Sequence, residues 1–145
     1  MKIFSVDDIC WVNLECTGDA NSYSGFIFQV HVDIRHGQFD AKNIDVQFLN
    51  IENFVTDFDR FILDRSLVPR LEGTYDSYLT FSARGQSVMV QFSLGDAYCG
   101  SKTVYFLQTG EFEVAQENLT QYLAGFHALM KPNPSFKRDA LKRAP

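Results

Sequence analysis

The chain has 145 residues, 46% of them apolar and 14% aromatic, and carries a formal net charge of −5. This is the length of one domain, with enough apolar surface to offset the entropy of ordering, which excludes a disordered chain. No stretch approaches the roughly 20 consecutive apolar residues that span a bilayer. Asp7 and Asp8 interrupt the region where a secretory signal needs an apolar run. A cytoplasmic protein is expected.

The charge is unevenly placed. Residues 131–145 hold five bases against one acid, Asp139, so residues 1–130 carry 17 acids, 8 bases and a net charge of −9. The expectation is one domain over residues 1–130 followed by a basic, disordered tail. An acidic body repels phosphate backbones, so nucleic acid is not an expected partner, whereas a basic protein is.

The first strands are marked by strict alternation. Cys10, Val12, Leu14 and Cys16 share one face, opposite Trp11, Asn13 and Glu15. Phe26, Phe28, Val30, Val32 and Ile34 share another, opposite Ile27, Gln29, His31, Asp33 and Arg35. His36-Gly37-Gln38 reads as a turn in which the glycine takes the positive φ. A strand through Ile44, Val46 and Phe48 follows.

The period then becomes helical, with Ile51, Phe54, Val55, Phe58, Phe61 and Ile62 on one stripe and Asn50 placed as N-cap. Pro69 bars continuation, so this helix ends near Arg65 or Ser66. Leu79 and Phe81 begin a further strand, and Arg84-Gly85-Gln86 closes a hairpin onto Val88, Val90, Phe92 and Leu94. A loop from Gly95 to Lys102 leads to a strand through Val104 and Phe106, which Gly110 breaks before Phe112 and Val114. A second helix runs from Leu119 to Met130, with Asn118 and Gln121 approximating a capping box. No sequence repeat is evident. The fold class expected is α+β: one antiparallel sheet of five to seven strands with two amphipathic helices packed on one face.

Little catalytic chemistry is visible. His31 and Asp33 share a strand face, but a His–carboxylate pair also needs a nucleophile or a metal, and nothing local supplies one. Gly100 and Lys102 do not fit a phosphate loop, and no dinucleotide, zinc-protease or nucleophile-elbow motif occurs. Cys10, Cys16 and Cys99 include no C-x-x-C pair. Six residues along one strand place Cys10 and Cys16 roughly 20 Å apart, too far for a disulfide. Free, core-facing thiols are expected, with no metal, no cofactor and no catalytic residue.

The segment Lys131-Pro132-Asn133-Pro134-Ser135-Phe136-Lys137-Arg138 resembles the translated recombination site that ends integron mobile gene cassettes. That resemblance implies a genetic origin and no activity. The strand ending at Phe48, the helix Asn50–Asp64, Leu71-Glu72-Gly73, the hairpin Leu79–Leu94 and the helix 119–130 resemble small bacterial domains of unknown function, some of them neighbours of immunity proteins in toxin systems. The resemblance implies the fold and an immunity-like, non-enzymic binding role, and the acidic body makes a basic protein the expected partner.

A second expectation from the residues is a small apolar ligand held in a phenylalanine-lined pocket between sheet and helices. A third is an enzyme whose site is built from loops, with His31 and an acid converging in a cleft. The surface expected to bind a protein partner, or a second copy of the chain, is the sheet face away from the helices. Alternation puts Trp11, Ile27, His31, Tyr78, Met89 and Tyr105 there among hydrogen-bonding residues, a composition like that of interfaces.

Overall fold

A computed structural model describes residues 1–17, 25–99 and 103–130 of the chain. The predicted tail 131–145 and residues 100–102 lie outside the described residues. Eight strands form two four-stranded antiparallel sheets, each a simple meander. The first holds β1 (Lys2–Phe4), β2 (Trp11–Cys16), β3 (Phe26–Ile34) and β4 (Gly37–Val46), and α1 (Ile51–Leu63) follows it. The second holds β5 (Arg70–Glu72), β6 (Tyr78–Arg84), β7 (Ser87–Cys99) and β8 (Thr103–Val114), and α2 (Leu119–Leu129) follows after a single 3-10 turn. The two halves thus repeat one order of elements without an evident sequence repeat.

The α+β class and antiparallel pairing hold, but the single sheet of five to seven strands is replaced by two sheets. The reason lies in β1 and β5. Each is three residues long with one fully buried side chain, Ile3 or Leu71, which is too short to display alternation. Among the described residues the one isolated β-bridge, Phe48↔Gly73, joins the two sheets, supported by backbone bonds from Leu49 to Glu72 (2.8 Å) and from Thr74 to Gln47 (3.0 Å).

One core serves both sheets and both helices. The apolar stripe of α1 buries Phe54, Val55, Phe58 and Phe61, and α2 buries Leu119, Tyr122 and Phe126. The helices meet through Phe54 and Phe126, ring centroids 4.8 Å apart, and through Phe58 and Phe126 at 5.3 Å. Phe81 of β6 lies 4.8 Å from Phe58, which seats the pair on the second sheet. Full burial of each such ring contributes about 1.5–3 kcal/mol.

Neither predicted cap forms. The Asn50 side chain donates to the carbonyl oxygen of Arg70 and accepts from the backbone N–H of Glu72, both at 2.8 Å, so it acts as an extra pairing unit for β5. Asn118 makes no side-chain cap bond. At the other end of α1, the Arg65 guanidinium donates to the carbonyls of Phe61 (2.7 Å) and Ile62 (2.8 Å), closing the helix at Leu63.

Four local readings are corrected. Gly37 has no positive φ; it pairs with Ile34 and opens β4. Gly85, at φ 63°, does take the left-handed conformation in its hairpin. Ile44 faces solvent because β4 carries a bulge between the pairs Phe26↔Val46 and Phe28↔Asn43, which changes the phase and turns Asn43 inward. The loop predicted from Gly95 is strand as far as Cys99, and β8 runs through Gly110 without a break. Gly110 lies opposite Phe92, whose ring occupies the space a Cβ would need.

Candidate functional site

The six residues predicted to form a binding face divide equally between the sheets. On the first sheet, Trp11 and His31 are register partners and stack with centroids 5.5 Å apart, with the Lys2 ammonium 4.4 Å over the indole. Ile27 sits opposite Glu15, half-buried. On the second sheet, Tyr78 lies beneath the Arg70 guanidinium at 3.8 Å, and Met89 sits between Ser82 and Glu113. Tyr105 donates its hydroxyl to Asp76 at 2.6 Å, which raises the pKa of the phenol. Among the six, only Trp11 and His31 stack on each other.

His31 has a carboxylate partner, but it is Asp40 rather than Asp33. Strand pairing sets the two opposite each other, with Nδ1 and Oδ1 2.6 Å apart, and Asp33 instead receives Gln38 at 3.4 Å. The cross-strand neighbour is closer than the residue two positions along the same strand. Among the described residues no cluster of three or more His, Cys, Asp or Glu could hold a metal.

Cys10 is buried and donates weakly to the carbonyl of Asp33 at 3.6 Å. Cys16 departs from the core-facing expectation: it is exposed, at the end of β2 that β1, whose pairing stops at Asn13, does not reach. The Cys99 side chain lies outside the described residues.

β8 forms an exposed apolar surface of which the alternation singled out Tyr105 alone. Val104, Tyr105, Phe106 and Leu107 are all exposed, Phe106 by 54%. Four apolar residues in succession cannot all face one core, and that break in alternation was the available signal. Beside them runs an open, mainly apolar groove of about 460 Å³. One wall is β8 itself from Phe106 to Phe112; the other is Cys10 with Val32, Ile34 and Phe39 near the tip of the β3–β4 hairpin. A smaller cleft of about 290 Å³ shares Phe106 and is bordered by Asp40, Lys42 and Asp96.

β8 is also a sheet edge. The Glu113 carbonyl accepts a 3.0 Å bond from the Val6 N–H, so Glu113 turns its backbone groups away from β7. In an unshifted antiparallel ladder the same direction recurs at every second residue, which gives Tyr105, Leu107, Thr109 and Glu111 outward N–H and C=O groups. No hydrogen bond reaches these groups among the described residues. Alternation places the side chains of Val104, Phe106, Gln108 and Phe112 on the groove side and those of Glu111 and Glu113 on the other.

Charge on that other side is organised. The Arg84 guanidinium makes two 2.9 Å bonds to the carboxylate of Glu111, and Gln91 adds one at 3.0 Å. These donors, Arg84 first, hold the Glu111 carboxyl down at about 2, and the same pairing raises Arg84.

No described helix is long and apolar enough to cross a membrane. Compared with family models, curated proteins and solved structures, the chain matches none of them.

Proposed function

We propose that this is a non-enzymic, cytoplasmic binding protein, carried on a mobile gene cassette, that holds a basic protein partner in the manner of an immunity protein. The observation that carries the reading is the exposed apolar run Val104–Leu107 beside an open groove, set in a body with a net charge of −9. Soluble proteins rarely leave such a run uncovered, and aromatic residues on an accessible surface are typical of interface centres. The surrounding acids steer a cationic partner and repel an anionic one.

The test is co-expression with the protein encoded beside it, followed by size-exclusion chromatography. A complex is expected that Phe106→Glu abolishes and Trp11→Glu leaves intact. The opposite pattern would move the site to the sheet face around Trp11 and His31. A complex indifferent to both variants, or no complex at all, removes the reading.

The groove itself favours a second reading, a small apolar ligand, because its volume falls within the range of roughly 300–1,000 Å³ usual for such sites. It lies between strands of the two sheets, whereas the space between sheet and helices is filled by Phe54, Phe58, Phe81 and Phe126. Extraction of the purified protein and mass spectrometry would find a stoichiometric apolar molecule, lost in Phe106→Glu, if this reading holds.

A further inference from the structure

The free edge of β8 and the groove beside it have one joint explanation. We propose that the partner adds to β8 as an extended antiparallel strand, with apolar side chains on the groove side and basic ones on the other. This rests on the reading of the chain as a binding protein and specifies how the partner is held.

The backbone carries the first part of the argument. Tyr105, Leu107, Thr109 and Glu111 present their donors and acceptors to the open side, in the spacing a paired strand requires. The Val6–Glu113 bond already uses the next position of that series. Natural sheet edges are usually blunted by lysine, proline, a bulge or a short strand. From Thr103 to Val114 this edge has neither lysine nor proline, and its register with β7 shows no shift.

The groove carries the second part. Its β8 wall extends from Phe106 to Phe112, six steps of a strand or roughly 20 Å. An added strand would set alternate side chains between Phe106 and the facing Val32, Ile34 and Phe39. Those residues therefore select apolar groups. The intervening side chains would emerge beside Glu111 and Glu113, with Asp76 beyond Tyr105. Glu111 is already paired with Arg84, so Glu113 and Asp76 are the acids that select lysine or arginine. A second copy of this chain is the poorer occupant, because β8–β8 pairing brings two edges and two bodies of the same negative charge together.

The experiment uses the full chain with nine-residue peptides as probes: alternating valine and lysine, alternating valine and glutamate, and the first peptide N-methylated at alternate residues. Affinity is read by calorimetry, and amide exchange by NMR. The valine–lysine peptide is expected to bind at least tenfold more tightly than either control and to slow exchange at Tyr105, Leu107, Thr109 and Glu111. Thr109→Pro removes one outward N–H while leaving the β7 ladder whole, since proline is tolerated at a strand edge. It should weaken the peptide at least tenfold with an unchanged circular dichroism spectrum.

Equal affinity for the lysine and glutamate peptides, unaffected binding of the N-methylated peptide, or protection confined to other elements would overturn strand addition. So would a peptide-free dimer in which those four amides are already protected, which assigns the edge to a second copy. A natural complex lost in Phe106→Glu but indifferent to Thr109→Pro would leave the binding function standing and remove this mode of recognition.

Discussion

Asn43 on β4 donates a 2.8 Å hydrogen bond from its side-chain amide to the carbonyl of Gly95 on β7, tying the two sheets together at a buried point. The same side chain accepts from the N–H of Asp45 at 2.9 Å, which holds the bulge that turned Asn43 inward. Gly95 is fixed from its other end by the Ser77 hydroxyl, which accepts its N–H at 3.1 Å.

This seam leaves no room for a side chain. A Cβ on Gly95 would stand 2.0 Å from the carbonyl oxygen of Tyr75, which is backbone in a turn where Tyr75 and Asp76 both have positive φ. Gly95→Ala is therefore expected to cost about 3 kcal/mol, the upper part of the overpacking range. Asn43→Ala, which orphans the Gly95 carbonyl, should cost about 1–3 kcal/mol. Urea denaturation measures both.

The dual bonding of Asn50 separates two roles that sequence alone confuses. As an N-cap, aspartate would serve equally well. As a pairing unit for β5, the residue needs its amide N–H₂ to reach Arg70, which aspartate lacks. Asn50→Asp is expected to lose about 1 kcal/mol in a thermal or urea melt, with Asn50→Ala losing more. An aspartate variant as stable as the parent would return Asn50 to the capping role.

Phe58 packs against Phe54, Phe61, Phe81 and Phe126 and is fully buried. Phe58→Ala should cost about 3–5 kcal/mol. Phe39→Ala, at the exposed groove wall, should change stability by no more than about 0.5 kcal/mol. Equal losses would contradict the placement of the core.

The Glu111–Arg84 pair gives a pH signature. The folded-state pKa of Glu111, about 2, lies below the ordinary carboxylate value, so whatever the pair adds to stability is present above the unfolded value. It is lost as pH falls through the interval between that value and about 2. A carbon-detected NMR titration should place the Glu111 midpoint near 2, and Arg84→Met should move it upward. An unmoved midpoint would mean that Arg84 is not its main partner.

Periodicity made much of this architecture legible, because burial on one side imposes it locally. The stripe Phe54, Phe58, Phe61 and the alternation Phe26, Phe28, Val30 each have a single way to hide from water. Short elements carried no such signal. Ile3 and Leu71 are single buried residues on strands of three, and only their neighbours make them strands. Asn43 and Ile44 exchanged faces through a bulge that no local pattern announces.

The site divides in the same way. The outward position of Tyr105 and the acidic excess are properties of the chain and could be read from it. That Val32, Ile34 and Phe39 face β8 across a groove, and that Asp40 rather than Asp33 meets His31, depends on which strands become neighbours. The same holds for the open edge of β8. Sequence determined which side chains shun water, a local property of spacing. Tertiary structure alone decided which of them stayed uncovered, because exposure depends on where each sheet ends and what stands opposite it.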